Sequence, residues 1–204
     1  MTIQNLNKEL GNIDIYLLDQ ILKGRYDLSA KILDAGCGEG RNLIYFLNNN
    51  YQVFGIDQNP DAIRMLHFIL GSTYSYLPKS NIQEGSVEQM PFDEDTFDLI
   101  ISSAVLHFSK NQMHFNKMID DMVRVLKPAG QLFIRAASDI GLKNKTPQQE
   151  QGRYLLPDGS TRFLMSEVMI QEITERYALK FVEPIKTTNV NNLRCMTTLV
   201  LEKS

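Results

Sequence analysis

Three glycines at positions 36, 38 and 40 follow the apolar run Ile32-Leu33-Asp34-Ala35 and precede Arg41-Asn42. A strand that runs into closely spaced glycines and then a helix lets the backbone approach a ligand without interference from Cβ atoms. The glycines alone also suit an ordinary tight strand-to-helix turn. Asp57 closes the next apolar run, Val53-Phe54-Gly55-Ile56. A carboxylate at the end of that second strand is placed to accept hydrogen bonds from two ribose hydroxyls. Joined to the glycine loop, it makes nucleotide binding the better reading. A dinucleotide fold wants Gly-x-Gly-x-x-Gly, whereas Arg41 occupies the third of those positions here.

The remaining reactive side chains are few. His107 follows the apolar segment Phe97–Ile101 and is the candidate base or positioning group, since a histidine can take a proton near neutral pH; a hydrogen-bonded loop histidine is the competing reading. His67 and His114 fall in predicted helices and read as boundary residues. Cys37 reads as a small packing residue in the loop and Cys195 as core. Neither has metal-ligand spacing around it, so no metal is expected. Tyr16, Arg153, Tyr154, Asp158, Arg162 and Phe163 lie in the least patterned parts of the chain. Of these, Tyr16, Tyr154 and Arg162 are the candidates for holding an anionic or planar substrate.

These residues must be positioned by alternating strands and helices. Apolar spacing predicts a helix over Ile13–Lys23, a strand at Lys31–Ala35, a helix at Asn42–Asn48 and a strand at Val53–Ile56. Asn59-Pro60 is a helix start that should run to about Leu70. Further strands are expected near Ile82, at Phe97–Ile101 and at Gln131–Arg135, with a helix over Asn111–Leu126 between the last two. Such alternation implies a parallel sheet with helices on both faces. Asp139–Gly152 reads as a polar, mobile excursion, and Pro157-Asp158-Gly159 as a turn. A helix over Ser166–Tyr177 precedes two runs, Leu179–Thr187 and Arg194–Glu202. Their short connection forces antiparallel pairing.

With these elements in place, the segment Asp34-Ala35-Gly36-Cys37-Gly38-Glu39-Gly40 strongly resembles the nucleotide loop of the class I S-adenosylmethionine-dependent methyltransferases. Gly85-Ser86-Val87-Glu88-Gln89-Met90-Pro91-Phe92, Phe97-Asp98-Leu99-Ile100 with Leu106-His107, and Arg124-Val125-Leu126-Lys127-Pro128-Ala129-Gly130 resemble later segments of that family in the same order. The resemblance spans roughly Ile32 to Glu202. It implies a Rossmann-like, seven-stranded, mostly parallel sheet with a C-terminal antiparallel hairpin. It also implies S-adenosylmethionine as cofactor, S-adenosylhomocysteine as product and methyl transfer to an acceptor by in-line displacement. Carried over by residue, Asp34 would hold the amino group of the methionine moiety, with backbone contact from Gly36, Cys37 and Gly38. Asp57 would bind the ribose hydroxyls, Gln58 would flank the adenine and the Val87 amide would meet an adenine ring nitrogen. Asn42 and Ser103 complete the expected cofactor shell, and Ser102 to His107 would line the methyl-donor end. Where many relatives carry an acidic residue this chain has Ser86, so Ser86 or Glu88 must accept from the adenine amino group. Ala129 stands in place of a common glycine. Gly40-Arg41-Asn42 further resembles a tellurite-resistance-like branch that acts on small molecules.

Composition narrows the remaining classes. The chain has 204 residues, 43% of them hydrophobic and 22% charged, and a formal charge of −3. That describes one globular domain over 1–204, with residues 1–30 as an N-terminal helical cap and 139–165 as a polar insertion near the acceptor site. There is no basic excess for a polyphosphate partner and no Asn-Pro-Pro-Tyr-type motif, so no nucleic acid is expected. No apolar run approaches a membrane span and no secretory leader is visible, which places the chain in the cytoplasm. A small-molecule acceptor is therefore expected. A cofactor-binding protein without catalysis and an NAD-dependent dehydrogenase remain as alternatives.

Overall fold

The parallel strands predicted from apolar runs are present in the computed structural model, which describes residues 2–142 and 150–204. In chain order the elements are α1 (Ile3–Leu10), α2 (Ile15–Leu22), β1 (Lys31–Ala35), α3 (Ile44–Asn48), β2 (Gln52–Asp57), α4 (Pro60–Thr73) and β3 (Ile82–Glu84). There follow β4 (Phe97–Ser103), α5 (Gln112–Val125), β5 (Leu126–Ser138), β6 (Arg153–Leu155), β7 (Thr161–Phe163), α6 (Glu167–Arg176), β8 (Leu179–Phe181), β9 (Lys186–Val190) and β10 (Arg194–Lys203). The sheet order is β3-β2-β1-β4-β5-β10-β8, and β9 also pairs with β10. Strands β1 to β5 pair in parallel, and β10 runs antiparallel to β5, β8 and β9.

The sheet differs from the seven-stranded expectation in one respect. β8 faces Leu201–Lys203 of β10 and β9 faces Arg194–Thr198, so both lie along the same outer edge as halves of an interrupted strand. Pro184 sits between them, and a proline has no N–H to give to the ladder.

Successive residues of each strand point to opposite faces, and the core divides accordingly. Leu33, Ala35, Phe97, Ile100, Leu132 and Ile134 pack with α5 and α6 on one face. Ile32, Val53, Leu99, Ile101 and Phe133 pack with α2, α3 and α4 on the other. Side-chain caps fix the helix starts: Asn59 Oδ1 accepts from Asp61 N–H at 3.0 Å, and Asn111 Oδ1 from His114 N–H at 2.8 Å. Asp14 caps α2 by accepting from Tyr16 N–H at 3.0 Å.

Part of the expected excursion, residues 143–149, lies outside the described residues. The wider insertion expected over 139–165 includes a short hairpin and buried apolar side chains among its described residues. β6 and β7 form a hairpin about the Pro157-Asp158-Gly159 turn, pairing Tyr154 with Arg162. Leu156 and Phe163 are buried. The Phe163 ring stacks on Phe115 of α5, centroids 5.5 Å apart.

β1 lies between β2 and β4, so the chain leaves β1 toward one side of the sheet and returns to build the other. At that reversal the loops after β1 and β4 border a crevice at the carboxyl ends of the strands.

Candidate active site

Gly36, Gly38 and Gly40 all adopt positive φ, at 89°, 51° and 80°. At Gly36 a Cβ would also lie 2.4 Å from Val105, so the loop passes too close to the one after β4 for any side chain. The N–H groups of Gly36, Cys37, Gly38 and Gly40 are spent inside the protein. Gly36 and Cys37 both donate to the Ile56 carbonyl, at 2.8 and 3.0 Å, and Gly38 donates to Asp57 Oδ2 at 2.8 Å. A pyrophosphate needs free N–H donors at this position. Carboxylate and carbonyl oxygen are what the loop retains.

Asp34 sharpens that polarity. Its side chain is buried at the end of β1 and neither oxygen has a hydrogen-bond partner among the described residues. Burial raises its pKa to about 7, despite the opposing charge of Arg41 and the neighbouring Asn42 side chain. An orphaned buried carboxylate repels phosphate and attracts an ammonium group. It therefore fits the methionine amino group of S-adenosylmethionine and not a dinucleotide. Asp57 is half-buried, and its Oδ1 accepts from Asn59 N–H at 2.8 Å. Each of its oxygens keeps a second lone pair for a hydroxyl donor.

A cleft of about 190 Å³ runs along these residues, lined by Gly36, Asp57, Gln58, Val87, Glu88 and Ala104 among others. It brings together most of the expected adenosine-side residues. Also in its wall are Val105, from the Ser102–His107 stretch expected at the methyl-donor end, and Phe108, His114 and Met118, which sequence reasoning did not place in a site. The cap at Asn111 was the available signal for His114, because it places that residue in the first turn of α5. His114 Nε2 lies 3.2 Å from Glu88 Oε1. Burial pushes the Glu88 carboxyl up, but the Ser86 hydroxyl, its own backbone N–H and His114 outweigh it and hold the group below its ordinary value.

The other expected residues lie around this cleft in different ways. Cys37 is buried and packs against Gly55, where a Cβ would meet its sulfur at 3.0 Å; burial pushes its thiol pKa up. Asn42 Oδ1 accepts from Asp14 N–H at 3.0 Å. Ser103 donates to Asp14 Oδ2 at 3.0 Å and accepts from Arg41 at 3.0 Å. Asn42 and Ser103 thus tie the N-terminal segment to the glycine loop. Tyr16 shares a 2.6 Å hydrogen bond with the Thr188 hydroxyl and lies beneath Arg135, 5.6 Å from the guanidinium.

His107 is buried beyond the end of β4, and its Nδ1 accepts from Ala137 N–H at 3.3 Å. Burial and the charges of Arg162, Arg135 and Arg194 lower its pKa to about 4. It lines a second, larger cleft with those three arginines, Asp158 and Ser160. Tyr154, paired with Arg162 across the β6–β7 hairpin, lines a separate groove beside α5 and α6 with Gln112 and Glu172. Arg135 and Arg194 were not expected in a site. For Arg135 the signal was an arginine near the carboxyl end of an apolar strand, whereas Arg194 is the first residue of β10. Ala104, at φ 66°, lines both clefts, and an L-residue in this left-handed conformation is strain of the kind that clusters at working sites.

The methyltransferase-domain family model matches residues 33–134, half of the chain. The chain belongs to the class I S-adenosylmethionine-dependent methyltransferases. An uncharacterized methyltransferase of Synechocystis is 33% identical over 100 residues, covering 49% of this chain and 43% of that protein. The phthiotriol/phenolphthiotriol dimycocerosates methyltransferase of Mycobacterium leprae is 31% identical over 127 residues, 61% of this chain and 43% of that protein. The match thus spans less than half the length of these curated relatives. A S-adenosylmethionine-dependent methyltransferase from Methanosarcina mazei shares the fold, with a TM-score of 0.69 at 18% identity over 90% of this methyltransferase chain and 96% of its own. Among the described residues, no helix is long and apolar enough to cross a membrane.

Proposed function

We propose that this methyltransferase chain moves a methyl group from S-adenosylmethionine to a small-molecule acceptor by in-line displacement. The observation that carries this reading is the buried, unpartnered Asp34 carboxylate beside a loop whose Gly36, Cys37 and Gly38 N–H groups are already spent. When bound, S-adenosylmethionine supplies a sulfonium-activated methyl carbon, whose bond to sulfur breaks as the acceptor's lone pair bonds to it.

The protein's task is then to bind, orient and exclude water. Asp34 holds the ammonium end of the cofactor, Asp57 the ribose hydroxyls, and the Val87 backbone with Gln58, Ser86 and Glu88 the adenine. Gly36 lets the loop close on Val105, and Asn42 and Ser103 act through Asp14 by fixing the loop's position. His107 keeps Nδ1 on the Ala137 N–H, so its neutral ring carries the proton on Nε2. In that form it orients the acceptor by donating a hydrogen bond, and an acceptor that arrives already deprotonated needs no base. Both cysteines are free and buried, which suits the reducing cytoplasm.

Calorimetry of the full chain with S-adenosylmethionine, S-adenosylhomocysteine and NADH tests the reading. Both adenosyl ligands are expected to bind and NADH to give no heat. Silence with both adenosyl ligands overturns the proposal.

A further inference from the structure

The larger cleft has a volume of about 530 Å³, within the usual range for small-molecule sites. Its charge is unbalanced. Arg135 NH1 lies 3.3 Å from the buried Asp14 carboxylate, and Arg194 NH1 lies 3.5 Å from Asp158. Arg162 has no carboxylate partner among the described residues; its guanidinium stacks over Phe108, 4.9 Å from the ring centroid. Three guanidinium groups from three separate elements, β5, β7 and β10, therefore converge on one hollow with one of them unneutralised. The Nε of Arg135 is also buried without a hydrogen-bond partner.

We infer that this cleft is the acceptor site and that the acceptor carries an anionic oxygen group, a carboxylate or a phosphate, seated on Arg162, Arg194 and Arg135. The inference rests on the methyl-transfer reading. Guanidinium forks match either group with paired N–H donors, whereas a neutral acceptor would leave Arg162 without an anionic partner. Phe108 lines the cofactor cleft while Arg162 stacks on it, and Ala104 belongs to both hollows. An acceptor anchored on the arginines thus reaches toward the methyl donor past Ala104. Burial chiefly depresses the His107 pKa, and the charges of the same three arginines depress it further.

The test uses the full chain, free and saturated with S-adenosylhomocysteine, and the probes benzoate, phenyl phosphate and neutral benzamide. At least one anion is expected to bind about tenfold or more tightly than benzamide, and which one identifies carboxylate or phosphate. R162Q and R194Q should each weaken that anion about tenfold while leaving S-adenosylhomocysteine affinity unchanged, which also shows that the variants are folded. By NMR, bound anion and R162Q should each raise the His107 titration midpoint from about 4. Benzamide binding as well as the anions, or anions indifferent to both substitutions, would overturn the inference while adenosyl binding leaves the methyl-transfer reading intact. If S-adenosylhomocysteine does not bind, it is that reading which fails, and the anion titrations on the free chain still judge the arginine site.

Discussion

Asp34 carries a proton at a pH where an ordinary aspartate has long lost it. With a folded pKa of about 7 against 3.8 in the unfolded chain, the native state holds that proton across the window between them. Stability from this group is therefore full below pH 4 and is lost as pH rises toward 7. About three pKa units correspond to roughly 4 kcal/mol as an upper limit. Urea titrations should show wild-type stability falling between pH 4 and 7 and levelling above that, and Asp34→Asn should remove that slope. The same substitution should weaken S-adenosylhomocysteine by about 10- to 100-fold, the worth of hydrogen bonds to a charged group. Wild-type binding at pH 6 should release a proton to the buffer, because an ammonium partner requires the ionised carboxylate. Calorimetry in buffers of different ionisation enthalpy reads that release.

At the level of elements, the opening residues of β5 turn at Ala129, whose φ is 59°, on an exposed surface. A left-handed alanine costs about 1 kcal/mol or more that glycine does not. Ala129→Gly should therefore raise stability by about 0.5–1 kcal/mol in chemical denaturation, with no packing to lose. This turn, like β1, β2 and α5, was legible because a local rule governs it: Asn111 caps, Pro128 and Gly130 stop, and Leu33 alternates with Ile32. The break between β8 and β9 was less visible, since Leu179–Thr187 reads as one apolar run and only Pro184 signals the interruption. The hairpin of β6 and β7 was missed because three-residue strands carry too few side chains to show a period. The cofactor side of the crevice was readable for the same local reason, as its loops follow consecutive strands. The arginine cleft was not, because Arg135, Arg162 and Arg194 meet only after β10 inserts beside β5.

Over the whole molecule, burial is uneven, and protection from hydrogen exchange should follow it. β1, β4 and β5 are covered on both faces and should exchange only on global unfolding. α1 has no buried residue and should exchange fastest. Exchange measured by mass spectrometry with S-adenosylhomocysteine should slow at residues 36–40, 57–58 and 85–88 and leave α1 unchanged. Slowing confined to α1 would contradict the assigned cofactor cleft. The order of β5 and β10 has one more consequence, for the chain while it is being made. β5 is complete at Ser138, but β10, which covers its outer edge, starts at Arg194. At translation rates of about 5–20 residues per second, that edge with its Leu132-Phe133-Ile134 run waits roughly 3–11 s for a partner. During that interval the nascent polypeptide displays an open apolar strand, and the ribosome's pace decides how long neighbouring chains can find it.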